Sequence, residues 1–356
     1  GGAAIASYRL LTALRAKNVD ATLGVVDKAT ADPNVIKLPQ KKICIFYRFV
    51  SKIFVKFINP IWKRLKKPFE FKTSNSVLHS TNFRSKIDVN WINNSDYDLV
   101  HMHWINNDMI SIKDIAKIKK PIVWTMHDTW PFCGAEHYPN MLENDIRYKT
   151  GYLKSNKPKS TKGGDLCRKV WQQKKKYLSG KEIVFVSPST WEKRCLDESA
   201  LFAGEKCVVV PNILSSAFFP VNKESVRDLS QLNIPYFASG FISNEKILAL
   251  LYNACDVFVC PSIVENLPTT CLESLFCGVP VVAFNVGGTP DIVVHKETGY
   301  LATPYNAEEL ARGIEWCTEN ESTLSKKCLE KAVRDFDENE TVEKMIRVYK
   351  ETIRSR

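Results

Sequence analysis

Short apolar runs alternate with longer amphipathic segments along most of the chain. Several runs are rich in Val and Ile and continuously apolar, which is typical of strands in a parallel sheet that is buried on both faces. Strands that alternate with helices indicate a doubly wound α/β fold. The candidate strands are Ala21 to Val26, Leu99 to His103, Ile122 to Met126, Ile183 to Val186, Cys207 to Val210, Tyr236 to Ser239, Val257 to Cys260, Val279 to Phe284 and Tyr300 to Ala302.

A change in character near Pro211 and Pro220 separates two series of these elements. Prolines between periodic segments are typical of a boundary between domains. We therefore predict a Rossmann-like domain over residues 1–212, a second one over residues 221–340, and a C-terminal helix over residues 341–356. The predicted architecture is two parallel sheets that face a cleft.

The chain opens with the sequence GGAA, which leads directly into an amphipathic helix pattern. Glycines at the start of a helix allow an anion to approach closely. Such loops normally follow a strand. We therefore expect a first strand ahead of Gly1 that the printed chain does not contain.

Composition indicates a folded globular chain, with 44% hydrophobic and 25% charged residues among 356. No apolar run approaches the ~20 residues of a transmembrane helix, and the first 14 residues lack the basic lead and apolar block of a signal peptide. The 11 Cys are scattered singly beside apolar neighbours, which favours a reducing compartment. We expect a cytoplasmic protein.

The net charge is +11, and much of the excess lies in residues 41–71. Apolar residues recur there at spacings of three and four with basic residues opposite, which predicts a basic amphipathic helix with a kink at Pro60. One interpretation is an ordinary helix with its aromatic face in the core. The other, which we adopt, is a helix that docks on anionic lipid at the inner face of a bacterial cytoplasmic membrane. The chain shows no RNP-like, KH or zinc-finger pattern, so we expect no nucleic-acid partner.

The segment from Pro261 to Leu275 carries the richest candidate chemistry. It follows a buried strand and begins a helix near Pro268, where free backbone N–H groups and the helix dipole can hold a phosphate. A second helix start, at Gly287 to Asp291, repeats this arrangement. Two helix N-termini at the carboxyl ends of strands predict a cleft for a phosphorylated ligand.

Two acids, Glu265 and Glu273, lie in the loop and in the helix of this segment. The first can face a sugar, and the second can accept hydrogen bonds from a pair of ribose hydroxyls. Taken as a bare pair, they are better explained as an acid that compensates the helix dipole and a solvated helix residue.

Residues 248–316 resemble the nucleotide-sugar-binding half of retaining glycosyltransferases with the GT-B fold, the family 4 type, through the acid pair and the sequences CGVPVV, GGTPDIV and GYL. The N-terminal half resembles the colanic-acid and capsule branch of the same enzymes. Its matching sequences are GGAA at the start, DLVHMHW at residues 98–104, WTMHDTWPFCGAEHY at 124–138 and VSPSTW at 186–191.

The resemblance implies roles for residues in the second half of the chain. Glu273 would bind the ribose of the donor nucleotide, and Glu265 would contact the donor sugar near the reacting centre. Backbone groups and hydroxyls would hold the sugar and the diphosphate, from Asn266, Leu267, Thr269 and Thr270.

In the first half, the resemblance implies that His127 meets a donor hydroxyl or the developing charge, and that Gly1 and Gly2 lie against the diphosphate or the acceptor. It also implies transfer without a metal or cofactor, since helix dipoles and basic side chains stabilise the leaving diphosphate. The implied reaction moves a hexose, with retention, from a UDP- or GDP-linked donor. The implied acceptor is a lipid-linked sugar or an oligosaccharide in the synthesis of capsule, exopolysaccharide or lipopolysaccharide.

The histidines have other interpretations. His127 lies beside Asp128 and is explained equally well as a structural residue. A His-x-His sequence on a strand places both rings on one face, so His101, His103 and His127 could hold zinc. We assign no metal site.

The chain departs from the resemblance between Arg227 and Asp228, where the opening strands of the second domain and a basic Gly-rich loop are missing. Two βαβ units take roughly 60 residues, and we expect that the printed chain lacks residues here. Two other functions stay open: a sugar-nucleotide 2-epimerase, and an inactive relative that binds a nucleotide sugar.

Residues Tyr148 to Gly164, rich in Lys, Ser and Gly, are predicted to form a surface loop.

Overall fold

The computed structural model describes residues 2–41, 78–140, 145–159, 161, 163–218, 242 and 244–355. The chain divides into two compact units. The first unit comprises Gly1–Asn18, Pro188–Glu192 and Val209–Ile346, and the second comprises Val19–Ser187, Lys193–Val208 and Arg347–Arg356. The predicted domain limits, 1–212, 221–340 and 341–356, stay predictions, and the units differ from them most at residues 1–18.

Nine strands are present in the described part of the chain, and most are short. They are β1 (Leu23–Val25), β2 (Val35–Lys37), β3 (Val100–Met102), β4 (Ile122–Thr125), β5 (Val184–Ser187), β6 (Cys207–Val209), β7 (Phe258–Cys260), β8 (Val281–Phe284) and β9 (Gly299–Ala302).

The helices lie between the strands and dominate the C-terminal part. They are α1 (Gly2–Ala16), α2 (Val89–Asn93), α3 (Ile112–Ile115), α4 (Arg147–Thr150), α5 (Leu166–Leu178), α6 (Thr190–Asp197), α7 (Glu245–Ala254), α8 (Thr269–Phe276), α9 (Thr289–Ile292), α10 (Ala307–Glu319), α11 (Glu321–Phe336) and α12 (Glu338–Arg354). None of these described helices has the length and apolar character needed to cross a membrane.

The strands form parallel sheets, which confirms the predicted α/β class. Strands β1 and β2 pair in parallel, and a separate four-stranded sheet has the order β3-β4-β5-β6 with β4 parallel to both β3 and β5. In the first unit, β8 is parallel to β7 on one side and to β9 on the other. All four residues of β4 and of β8 are buried, as their continuous apolar sequences predict.

Helices cover both faces of the β7-β8-β9 sheet. Val281 and Ala283 pack in one apolar cluster with Leu272 of α8 and Cys328 of α11. Val282, which points to the opposite face because side chains alternate along a strand, packs with residues that include Cys317 of α10 and Leu324 of α11. This two-sided core fixes the carboxyl ends of β7 and β8, where the candidate loops begin.

The predicted surface loop over residues 148–164 is wrong at its start. Helix α4 occupies Arg147–Thr150, and Tyr152 is only 1% exposed. Tyr148 and Tyr152 are buried because their rings pack at 5.8 Å from Phe132 and Trp171, respectively. Composition alone missed these contacts.

Three other predictions lie outside the described residues. They are the strand Tyr236 to Ser239, the basic helix of residues 41–71 beyond Lys41, and the junction between Arg227 and Asp228.

A buried lysine holds the loop that follows β4. The Lys174 ammonium of α5 donates hydrogen bonds to the carbonyls of Trp130, Cys133 and Gly134, the last two at 3.0 and 2.7 Å. Its side chain is fully buried, and burial lowers the pKa of Lys174 to about 7.

Candidate functional site

The candidate donor loop runs from the end of β7 to the start of α8. Pro268 is the N-cap residue of α8, and its side chain has no polar atom that could cap the first N–H groups of the helix. Asn266 and Leu267 are buried, Thr269 is half-buried and Thr270 is exposed. The start of the helix near Pro268 is therefore confirmed.

A glycine turn packs directly against this loop. Gly288 N–H donates to the Glu265 carbonyl at 3.2 Å. A Cβ on Gly287 would lie 1.7 Å from the Glu265 oxygen, and one on Gly288 would lie 1.8 Å from the Asn266 oxygen. Gly287 also has a φ of +55°, in the left-handed region. Only glycine fits at these two positions, and the close approach fixes the backbone on both sides of Glu265.

Two further contacts hold the loop and the turn within the first unit. Ser189 Oγ donates to Asn266 Oδ1 at 2.6 Å, and the Thr190 hydroxyl donates to Asp291 Oδ1 at 2.5 Å. Ser189 and Thr190 belong to the VSPSTW sequence, so this motif supports the loop. The Glu265 side chain itself is half-buried, and burial raises the pKa of its carboxyl group.

Glu273 lies at the centre of a group that we term the Arg9 cluster: Arg9, Glu245, Tyr252 and Glu273. Arg9 Nη2 donates to Glu273 Oε1 at 3.2 Å and to Glu245 Oε1 at 2.8 Å, and the Tyr252 hydroxyl donates to Glu273 Oε2 at 3.2 Å. Glu273 is 5% exposed, and burial raises its pKa while Arg9 and Tyr252 oppose the shift. It is not the solvated helix residue that the bare sequence allowed.

The sequence pattern did not identify Arg9, Glu245 or Tyr252 as partners of Glu273. Arg9 lies in α1, 264 positions away from Glu273 along the chain. Gly2, predicted at the diphosphate or the acceptor, begins α1 and is exposed, and Gly1 lies outside the described residues.

In the second unit, three imidazoles form what we term the histidine cluster: His101, His103 and His127. The ring centroids of His101 and His103 are 4.2 Å apart, which confirms that the His-x-His sequence places both rings on one face. His103 Nδ1 lies 3.0 Å from His127 Nε2, so one ring donates a hydrogen bond to the other. His101 bonds through Nε2 to the Thr125 hydroxyl at 2.7 Å and through Nδ1 to the Tyr349 hydroxyl at 2.6 Å.

The histidine cluster is uncharged at neutral pH. Burial lowers the pKa of His127 to about 4, against the opposing effect of Asp128, and burial with His127 lowers the pKa of His101 to about 3. Burial and the two neighbouring imidazoles also lower the pKa of His103. A neutral His127 can donate a hydrogen bond to a sugar hydroxyl or accept one from it.

The residue after His127 anchors the loop that carries it. Asp128 Oδ2 accepts hydrogen bonds from His137 Nδ1 at 2.6 Å and from Trp104 Nε1 at 3.1 Å, and Asp128 Oδ1 accepts one from the Trp130 N–H at 3.0 Å. The parallel pairing of β3 and β4, with His101 opposite Val123, aligns the two motifs that supply these residues. Asp128 therefore has a structural role that the sequence did not assign.

Comparison with known proteins adds to this geometry. Residues 230–335 match the family model described as glycosyl transferases group 1. Two solved structures align with nearly the whole chain: sucrose-phosphate synthase from Thermosynechococcus elongatus and Anabaena HepE in complex with UDP-glucose. The first has a TM-score of 0.59 at 16% identity and covers 100% of this chain and 94% of that one. The second has a TM-score of 0.57 at 14% identity and covers 97% and 96%.

The chain has the GT-B fold. This confirms the predicted fold and is consistent with two Rossmann-like domains.

The curated relatives match shorter stretches of this chain. The N,N'-diacetylbacillosaminyl-diphospho-undecaprenol alpha-1,3-N-acetylgalactosaminyltransferase of Campylobacter jejuni is 30% identical over 116 residues, which are 32% of this chain and 30% of the relative. The chain spans less than a third of the length of the curated relatives that it matches.

Proposed function

We propose that the protein is a retaining, metal-independent glycosyltransferase of the family 4 type that moves a hexose from a UDP- or GDP-linked donor. The observation that carries the proposal is the buried acid Glu273 on α8, directly after a loop whose backbone is fixed at Glu265 by Gly287 and Gly288. Both features lie inside the segment that matches the glycosyltransferase family model. The UDP-glucose complex of HepE supports a nucleotide-sugar donor for this fold.

In the proposed donor site, Glu273 accepts hydrogen bonds from the ribose hydroxyls. Among the described residues, Arg9 donates a hydrogen bond to its Oε1 and Tyr252 donates one to its Oε2, and a carboxylate oxygen can accept more than one. The backbone groups of Asn266 and Leu267, with the hydroxyls of Thr269 and Thr270, hold the sugar and the diphosphate. The N-terminal end of α8 stabilises the negative charge of the leaving group through its dipole.

Glu265 and His127 are the proposed catalytic residues. Glu265 contacts the donor sugar near the reacting carbon, and its raised pKa lets it carry a proton more readily than an exposed acid would. His127, neutral and hydrogen-bonded to His103, contacts a sugar hydroxyl. The departing phosphate oxygen takes the acceptor proton during attack on the same face, so the configuration at the transferred carbon is retained.

We further propose a lipid-linked or oligosaccharide acceptor in surface polysaccharide synthesis, of the capsule or colanic-acid kind. The name of the Campylobacter relative specifies a sugar on undecaprenyl diphosphate as its acceptor, which supports the lipid-linked alternative. The charge of +11 supports docking on anionic lipid at the inner face of the cytoplasmic membrane, through residues 41–71. Flotation with vesicles that contain or lack anionic lipid tests the docking, and equal partitioning would remove it.

The donor proposal is tested by calorimetric titration with UDP-glucose, GDP-mannose and ADP-glucose. We expect one of the first two to bind and Glu273→Gln to weaken that binding at least ~10-fold, since each good hydrogen bond to a charged group contributes about 1.5–3 kcal/mol. Glu315→Gln, an exposed acid on α10, is the matched control and should bind as the wild type does. Equal binding by both variants would overturn the role of Glu273.

Turnover separates the proposed function from its two alternatives. With a lipid-linked acceptor present, transfer of labelled sugar supports the glycosyltransferase. Glu265→Gln or His127→Ala should greatly reduce the rate of this transfer while the midpoint of thermal unfolding changes little. Epimerised or hydrolysed donor in the absence of acceptor would instead identify a 2-epimerase-like enzyme. Donor binding without turnover of any acceptor would identify an inactive relative.

A further inference from the structure

Three side chains of metal-binding type converge in the second unit, and none of them takes part in the proposed transfer. A nitrogen of His79, a carboxylate oxygen of Glu136 and the sulfur of Cys167 all lie within 4.8 Å of one another. Glu136 is 2% exposed and Cys167 is 6% exposed, while His79 is half-buried with its Nε2 atom shielded from solvent. The group is therefore largely enclosed by protein.

The backbone holds two of these side chains opposite each other. His79 and Glu136 form an antiparallel bridge. Ser80 N–H donates to the Ala135 carbonyl at 2.7 Å, and His137 N–H donates to the Leu78 carbonyl at 3.0 Å. Because these bonds flank the pair on both sides, His79 and Glu136 stay close whether or not a ligand is present.

Helix α5 brings the third side chain. Asp165 caps the helix by accepting a hydrogen bond from Arg168 N–H at 3.0 Å, which places Cys167 in the first turn. A Cβ on Gly134 would lie 2.6 Å from both the Cys167 Cβ and Glu136 Oε2. The absence of a side chain at Gly134 therefore lets the thiol and the carboxylate meet.

The carboxylate is held so that one oxygen faces the group. The Tyr152 hydroxyl donates to Glu136 Oε1. Apart from the Cys167 thiol, Oε2 meets no hydrogen-bond partner among the residues that the structure describes. A buried carboxylate oxygen with so little compensation is costly, and a cation would remove that cost.

We propose that His79, Glu136 and Cys167 bind a zinc ion. Imidazole nitrogen, thiolate sulfur and carboxylate oxygen are the donors that Zn²⁺ takes in proteins, and three protein ligands leave the fourth tetrahedral position for water. Zinc bonds of 2.0–2.3 Å place the donors about 3.3–3.8 Å apart. Rotation of the His79 and Cys167 side chains closes the remaining distance.

The charges of the site balance when the ion is bound. The Cys167 thiol loses its proton to solvent, so that a thiolate and the Glu136 carboxylate together neutralise Zn²⁺. The nearby guanidinium of Arg147 is already paired, with Asp145 at 2.9 Å and Asp165 at 3.4 Å. The ion joins the segment at His79, the loop at Glu136 and helix α5, and none of these three ligands is assigned a part in sugar transfer.

The test is metal titration of the full chain after treatment with a chelator. We expect one equivalent of Zn²⁺ or Co²⁺ per chain, with thiolate-to-metal charge-transfer absorption in the Co²⁺ form and a higher midpoint of thermal unfolding in either form. We expect metal binding to weaken at least ~10-fold in each of three variants: His79→Ala, Glu136→Gln and Cys167→Ser. Loss of a residue that merely hydrogen-bonds to a metal ligand can already weaken binding by this factor. Cys207→Ser, a half-buried cysteine outside the group, is the matched control and should bind as the wild type does.

Three outcomes would overturn the site. They are stoichiometry far below one, a Co²⁺ spectrum without thiolate absorption, and Cys167→Ser binding as tightly as Cys207→Ser. His79 is half-buried, so His79→Ala is expected to fold and reports on the site even if Cys167→Ser does not. Since the readouts are stoichiometry, spectrum and unfolding, the result is independent of whether the protein transfers a sugar.

Discussion

The Arg9 cluster and the histidine cluster both bury polar groups, but they compensate them in opposite ways. In the Arg9 cluster one guanidinium faces two carboxylates, so charge is matched against charge. In the histidine cluster the rings bond to each other and to two hydroxyls, and the low pKa values keep them uncharged. The first arrangement fails when a partner is removed, and the second fails when a proton is added.

Acidification should give the largest effect and should break the histidine cluster. A histidine with a folded-state pKa of about 3 or 4 takes up its proton only after unfolding, so stability is full above pH 6.5 and falls as the pH drops towards 4. The expected loss is about 1.4 kcal/mol per pH unit for each histidine that stays neutral. Urea unfolding at pH 7, 6 and 5 measures it.

Burial raises the pKa of Glu265 and of Glu273, so these acids favour the folded state as the pH falls and act against this trend. The control for the acid effect is His101→Gln, whose unfolding free energy should depend less steeply on pH. Stability that is unchanged from pH 7 to pH 5 would show that the imidazoles are not held neutral.

Removal of the cation should break the Arg9 cluster. Arg9→Met leaves the buried Glu273 carboxylate without its charged partner, and we expect a loss of about 3 kcal/mol in the free energy of unfolding at pH 7. Lys17→Met is the control, because its ion pair with Glu343 is exposed and 3.7 Å long. The double variant Arg9→Met with Glu273→Gln should recover part of the loss, and no recovery would mean that Arg9 acts through packing alone.

A smaller effect should follow from a methyl group at the glycine turn beside the donor loop. Gly288→Ala places a Cβ against the Asn266 carbonyl, and we expect a loss of about 1–3 kcal/mol with weaker donor binding. Gly180→Ala serves as the comparison, since Gly180 has a φ of +76° and open space around it, so it reports backbone strain alone. If the two variants bind the donor equally well, the glycine turn does not contribute to the donor site.

The smallest expected effect compares one hydroxyl from each cluster. Tyr349→Phe removes the hydrogen bond to His101 Nδ1 and should cost about 1 kcal/mol. Tyr252→Phe removes a hydrogen bond to the Glu273 carboxylate and should further raise the pKa of Glu273. Unfolding measurements and titration of the carboxyl signals by NMR distinguish the two, and a change in Glu273 titration caused by Tyr349→Phe would contradict this assignment.

The central strands could be predicted from the sequence because burial on both faces demands continuous apolar residues. Strands β4 and β8 lie within the predicted runs. Strand β2 (Val35–Lys37) was missed because its apolar run is only two residues long, Val35 and Ile36, and ends at Lys37, so no pattern forms. The burial of Tyr148 and Tyr152 was also missed, since it depends on rings far along the chain rather than on local composition.

The candidate site shows the same limit. The start of α8 at Pro268 and the shared face of His101 and His103 follow from local backbone rules, and both are confirmed. The link from Arg9 to Glu273 follows from the tertiary fold, which periodicity does not encode. Gly287 and Gly288 were predicted to lie at a helix start that receives a phosphate. The structure shows a second reason why glycine is needed at both positions, which is the close approach of two carbonyl groups.

The three carbonyl bonds of Lys174 make this residue a built-in reporter of local opening. An amine-modifying reagent should reach exposed lysines quickly and Lys174 only when the loop at Trp130 separates from α5. Once released, an amine with an ordinary pKa near 10.4 would react slowly at neutral pH, so the labelling rate would rise with pH as well as with the frequency of opening. Mass spectrometry at this one position would therefore time the separation of the Trp130 loop from α5.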